Sequence, residues 1–166
     1  MKVRGEANLT YAKYNNFIDG LVNENTSFVQ NYKASIDTNF KEWPNLEVGF
    51  EKIINDYQSS SGASTFVTNR PFANFEAYFL KGFSFIADYE YNDYKNRNGS
   101  TQSTYDFLNA SLYYQKEDSH WEFKISGLNL LNTVSIRRDS FSNNLISTFE
   151  YLVQPRYVVL GIKYEL

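Results

Sequence analysis

The last stretch of the chain, VQPRYVVLGIKYEL at positions 153–166, is where the fold is first legible. From Val158 onward one parity is apolar: Val158, Leu160, Ile162, Tyr164, Leu166. The other parity ends in Gly161, Lys163 and Glu165. A period of two marks a strand whose faces meet unlike surroundings. An apolar stripe that runs to the last residue argues for a terminus built into a sheet, because chain ends otherwise fray.

The same alternation recurs upstream. It predicts strands over Lys2 to Ile18, Phe28 to Phe40, Leu46 to Tyr57, Thr65 to Leu80, Phe83 to Tyr94, Gln102 to Lys116 and His120 to Leu131, with Val153 to Leu166 as the eighth. These exceed the ~5–6 residues usual for soluble proteins. The polar segments Asp19 to Ser27, 58–64, 95–101 and 132–147 read as long connections; those at 42–45, 80–83 and 117–119 read as tight turns. Short turns thus gather at one end and long loops at the other.

Composition narrows what such a sheet is for. The net charge of -3 gives no basic field for nucleic acid. There are no cysteines and one histidine, His120, so thiolate sites, disulfides and histidine metal clusters are excluded as frameworks. Aromatics reach 18% while mean hydropathy is -0.50. No run approaches the ~18 apolar residues of a membrane helix. The opening Met1-Lys2-Val3-Arg4-Gly5-Glu6 lacks the apolar centre of a signal peptide, so the expectation is a cytoplasmic chain or one whose beginning is missing.

Long alternating strands, short turns at one end and an aromatic-rich but polar composition fit an all-β, antiparallel, up-and-down transmembrane β-barrel segment spanning 1–166 as one unit. One face would meet lipid; the other, with Glu6, Lys33, Glu51, Glu76, Asp88, Glu90 and Lys124, would face a lumen. Trp43, Phe79, Phe83, Tyr114, Trp121 and Tyr164 fall near the short-turn end and are expected to form an interfacial girdle. Lys52 shares parity with Leu46, Val48 and Phe50: either it snorkels to the headgroups or a bulge after Phe50 flips the parity.

Several segments resemble a known family. They are Thr68-Asn69-Arg70-Pro71-Phe72-Ala73-Asn74, Phe107 to Gln115, Asn129-Leu130-Leu131-Asn132, Asp139-Ser140-Phe141-Ser142 and Gln154-Pro155-Arg156-Tyr157. They resemble the C-terminal end of the barrel of TonB-dependent outer-membrane receptors, of the Bacteroidetes-type outer-membrane β-barrel family. Gly161, Ile162, Tyr164 and Leu166 resemble the family's C-terminal assembly signal, with Leu166 where many barrels have Phe or Trp. The resemblance implies an outer-membrane location and a fragment lacking signal peptide and plug. Its implied partners are lipid, the rest of the receptor and the barrel-assembly machinery. A whole receptor of this kind imports a scarce ligand; this segment alone would not. The alternative is a complete eight-stranded barrel with a structural or adhesion role. Two outcomes stand for closure: Lys2–Ile18 pairs with Val153–Leu166, or the sheet stays open, the latter being expected.

No enzyme and no cofactor is expected. His120 beside a turn has no second histidine, and the carboxylates Glu47, Glu51, Glu76, Asp88 and Glu90 read as solvated lumen groups rather than an acid–base pair. Asn92, Asp93, Asn96 and Asn98 lack the spacing of a calcium loop. Outer-loop tyrosines read as packing rather than sugar platforms, and Arg70 and Arg156 as pairing with acids at the rim.

Overall fold

A computed structural model describes residues 1–40, 44–60, 62–97, 102–142 and 145–165. The described chain is all strand and turn: β1 (Lys2–Ile18), β2 (Leu21–Asp37), β3 (Asn45–Ser59), β4 (Gly62–Phe79), β5 (Phe83–Asn96), β6 (Gln102–Gln115), β7 (Trp121–Leu128), β8 (Ser135–Ser142), β9 (Leu145–Leu152) and β10 (Tyr157–Tyr164). Eight form one antiparallel sheet in the order β1-β2-β3-β4-β5-β6-β7-β10, and β8 pairs only with β9. Among the described residues no ladder joins β1 to β10, so the sheet is open, with two edges.

The distribution of loops differs from the sequence expectation. The segment 19–27 is not a loop, and within 58–64 residues 58–59 and 62–64 belong to strands. β1 passes into β2 through Asp19 and Gly20, both left-handed (φ 50° and 79°), the turn that matches strand twist. β3 and β4 likewise pair out to Ser59↔Gly62. Polar residues in these segments misled the period: once the strands leave the apolar region, both faces are polar and alternation vanishes, although the ladder continues. The segment 132–147 is no plain connection either, since β8 and β9 make a hairpin there, and the last strand starts at Tyr157 rather than Val153. The turn residues Glu42 and Trp43, the tip at Asn98 and the terminal Leu166 lie outside the described residues.

Directly paired residues share a face. One face carries Val3, Ile36, Val48, Ala73, Tyr89 and Leu108 in a single cross-strand row, and Phe79, Phe83, Tyr114, Phe123 and Ile162 in another. The opposite face carries Glu6, Lys33, Glu51, Arg70, Asn92 and Tyr105 in one row. The register of β3 runs without a bulge through Phe50↔Pro71, Glu51↔Arg70 and Lys52↔Asn69. The bulge alternative is thereby removed, and Lys52 stays on the apolar face.

Exposure is inverted relative to a water-soluble sheet. Apolar side chains stand bare: Leu160 is 76% exposed, Val3 69% and Leu9 60%. The buried groups are mainly polar and lie on the other face, among them Asn25 at 0% and Glu51 at 6%. Gly49 on that face is needed for close approach: a Cβ there would run into the Phe72 ring and sit 2.8 Å from the Ala34 carbonyl oxygen. Gly49→Val is therefore expected to cost about 1–3 kcal/mol through overpacking, read as a lowered urea midpoint of the folded protein in micelles; an unchanged midpoint would show that Phe72 moves aside freely.

The apolar band crosses the strands obliquely. Its centre lies near Ala7 on β1, between Ala110 and Leu112 on β6 and near Gly161 on β10. Followed through the register, it descends by about 1.3 residues per strand; with about 3.3 Å per residue and about 4.8 Å between strands, the slope is about 40°.

Candidate functional site

The polar face offers the chemistry. Glu51 on β3 can be buried because partners surround it: Arg70 Nη2 donates to one carboxylate oxygen and Asn31 Nδ2 to the other at 2.8 Å. Arg70 also reaches Glu90 at 3.6 Å. A buried carboxylate without such donors would be too costly to keep ionised. Toward the β1 edge Arg4 bridges Asp37 (2.5 Å) and Glu47 (3.3 Å), and Asn74 donates to Glu47 at 2.9 Å. The carboxylates singled out in the sequence thus lie on one wall, each beside an amide, hydroxyl or cation. Among the described residues no group of three His, Cys, Asp or Glu could hold a metal ion.

Beyond the apolar band the polar face is stitched together by side-chain hydrogen bonds. Asn25 donates to Asn16 at 2.8 Å and accepts from the Tyr57 hydroxyl at 2.7 Å, while Ser60 Oγ donates to Asn23. Phe66 and Tyr94 stack with centroids 6.0 Å apart. No sequence signal singled out these asparagines; their one trace is the recurrence of Asn at every second position, Asn23 and Asn25, on a strand.

Five of the six predicted girdle residues meet in two ring clusters, Trp43 lying outside the described residues. Phe79 stacks on Phe83 (5.7 Å), Phe83 meets Tyr114 (4.5 Å) and Trp121 meets Tyr164 (4.7 Å), all on the apolar face beside the 80–82 and 116–120 turns. His120 lies against Tyr164 at 5.8 Å. Gly161 and Ile162 lie mid-way along the free-edge strand β10, with Ile162 exposed.

The Asn-Leu-Leu-Asn segment acts as a clasp. Asn129 is left-handed (φ 50°) and buried. Its Nδ2 donates to the carbonyls of Thr133 (2.8 Å) and Gln154 (2.9 Å), and its Oδ1 accepts from Thr133 N–H (2.9 Å). Leu130 lies over Gly127, while Leu131 is exposed. Asn132 Oδ1 accepts from the N–H of Arg156, beyond Pro155. The residues of the two quoted motifs therefore meet, and the β8–β9 hairpin leaves and rejoins the wall at one point. The hairpin leans to the polar face: Arg138 donates to the Tyr105 hydroxyl at 3.3 Å, a bond that holds its pKa above the ordinary value. The side chains of Asp139 to Ser142 lie outside what is described.

The chain matches no known protein family, no curated protein and no solved structure. The family resemblance of its motifs therefore rests on the residues themselves.

Proposed function

We propose that this chain is a stretch of transmembrane β-barrel wall in the outer membrane, the C-terminal part of the barrel of a TonB-dependent receptor that imports a scarce ligand. The observation that carries the membrane reading is the oblique apolar band. Its slope of about 40° matches the 35–45° strand tilt of outer-membrane barrels, so in a bilayer the band would lie level. A band of exposed aliphatics backed by buried carboxylates and amides has no rationale in water. The receptor assignment rests on the clasp formed by Asn129, Asn132, Gln154 and Arg156, which gives the quoted motifs a shared structural job. The partners are then lipid, the remainder of the receptor and the assembly machinery that reads the last strand. No catalytic role is assigned.

The test is reconstitution. In liposomes the protein should float with lipid, and tryptophan emission should be quenched more by chains brominated near the headgroup than by chains brominated at their ends, since Trp121 belongs to the girdle. Protein left in the aqueous fraction would remove the membrane reading.

The same band also favours a second reading. A descent of about 1.3 residues per strand over eight strands corresponds to a shear of about 10, which would let a small barrel close with its lumen filled by side chains. That closure sets Leu9 opposite Leu160. A Leu9→Cys/Leu160→Cys pair that oxidises efficiently in bilayers would establish the small barrel. No disulfide is expected, because β1 is 17 residues long and β10 only 8, leaving half of β1 without a partner.

A further inference from the structure

We propose that the apolar face carries a site for one anionic phospholipid, with its phosphate on Arg156 and one acyl chain in a groove across β6, β7 and β10; this rests on the membrane reading and names the lipid. The groove holds about 280 Å³ and its lining is apolar. Its walls are two cross-strand rows, Leu112–Ile125–Leu160 and Tyr114–Phe123–Ile162. Lys124 and Gly161 lie between the rows, and the Lys124 amine is turned to the polar face, over the Tyr113 ring. The rows stand two residues apart, about 7 Å. That is close to the space one alkyl chain needs with carbons at about 3.5–4.0 Å on either side. By the slope of the band the groove lies at the midplane of a bilayer, where the available occupant is hydrocarbon.

A cation stands one leaflet above this groove. Arg156 is exposed, shares the parity of Val158, Leu160 and Ile162, and forms no ion pair among the described residues. Its N–H donates to Asn132 Oδ1 at 3.1 Å, so the clasp fixes its height. Five residues above Gly161, it lies about 13 Å above the centre of the band, at the border of an apolar belt about 25 Å tall. The tilt decides the path between cation and groove. Arg156 is four residues up from Leu160, and Leu112 is two strands across from Leu160. At about 40° both displacements carry sideways by about 8 Å, so Arg156 stands almost straight above Leu112, about 16 Å higher along the normal. That drop is about half of a ~30 Å hydrocarbon core, the depth of one acyl chain. The line crosses Gly127, over which Leu130 is folded, so the surface between is aliphatic. Charge selects the headgroup. One guanidinium balances one negative charge, and its fork matches two phosphate oxygens. A zwitterionic lipid brings its own cation to the same place, and a lipid with several phosphates leaves charge unbalanced.

The experiment is native mass spectrometry of the full chain from micelles doped with equal amounts of phosphatidylglycerol and phosphatidylcholine of the same acyl chains. A one-lipid adduct is expected, with phosphatidylglycerol exceeding phosphatidylcholine at least threefold. Arg156→Gln should bring the two to parity, and Arg156→Lys, which keeps the charge, should retain a preference. Lys52→Gln removes a charge from the same face and should leave the preference intact. Leu112→Trp fills the groove and should lower both adducts at least threefold. Circular dichroism and heat-modifiable migration check that each variant folds. No adduct, equal adducts in wild type, loss of the preference in Lys52→Gln, or a lipid A adduct exceeding that of phosphatidylglycerol would overturn the site. Flotation with liposomes is read in parallel. A chain that floats but shows no preference loses the lipid site alone; a chain left in the aqueous fraction loses the membrane reading, and the site with it.

Discussion

Replacing Asn129 by alanine is expected to lower stability by about 3–4 kcal/mol, among the largest effects of any polar substitution in the wall. The side chain is nearly solvent-free and makes three hydrogen bonds, all to backbone. Alanine leaves the Thr133 N–H, the Thr133 carbonyl and the Gln154 carbonyl without partners, each costing about 1 kcal/mol or more. It also places a Cβ residue without local hydrogen bonding in a left-handed conformation, which adds about 1 kcal/mol. Asn132→Ala is the internal control. Asn132 is likewise left-handed (φ 60°), but its side chain makes one exposed bond, to Arg156 N–H at 3.1 Å. Its loss should be less than half as large. Asn129→Gly separates the two contributions, since it relieves the backbone strain and keeps the lost bonds. Urea unfolding in micelles reads the stabilities. Hydrogen exchange at Val153 N–H, bonded to the Val134 carbonyl at 3.0 Å, reads whether the base of the hairpin opens with the clasp. Equal effects at positions 129 and 132 would show that the buried amide is not the element holding β10 in place.

The eight-stranded sheet was legible because β5, β6, β7 and β10 alternate through an environment with two different faces. Phe83, Phe85, Ala87, Tyr89 and Tyr91 all fall on the bare face, and Ser84, Asp88, Glu90 and Asn92 on the other, as the period requires. The extension beyond the band was not legible. Asn23, Glu24 and Asn25 read as loop by polarity, yet the register carries them as strand, held by side-chain amides that no periodicity records. The hairpin β8–β9 was hidden for a related reason: both of its faces mix charge and aromatics, as in Arg138↔Phe149 beside Arg137↔Glu150. Site residues showed the same division. The carboxylates were visible as alternating acids, but that Glu51 is buried and Asp88 is left with one donor depends on which neighbours the register delivers. Leu112 and Leu160 were visible only as alternating aliphatics; their common row depends on strand pairing that no local pattern contains.

Moving a lysine four residues down one stripe gives the second large effect. Lys52 and Val48 lie on the same face of β3, on the same parity, and both point away from the buried wall. Their separation is about 13 Å along the strand; at a tilt of about 40° that is about 10 Å along a bilayer normal. Val48 falls near the middle of the band, with Ile36 and Ala73 as cross-strand neighbours. Lys52 lies about 2.6 residues above the centre of the band, about 7 Å along the normal, beside Tyr32 and Asn69, and its four-carbon stem carries the amine toward the headgroups. Val48→Lys is therefore expected to cost about 2–4 kcal/mol in a bilayer, the midplane penalty for a lysine on the lipid face, while Lys52→Ala changes stability by less than ~1 kcal/mol. A sheet facing water on this side gives the opposite order. Val48 is half exposed, so a lysine there would be neutral or would improve solubility. Folding yield into liposomes and urea midpoints of the two variants separate the cases. Glu47→Gln, one residue away on the polar face, completes the comparison: it keeps the hydrogen bond from Asn74 and loses the ion pair with a half-exposed Arg4, so a shift of about 1 kcal/mol or less is expected. If Val48→Lys and Glu47→Gln fold equally well in a bilayer, the bare apolar face does not meet lipid. If only Val48→Lys fails, the face that Leu46, Val48 and Phe50 present is the one the membrane covers.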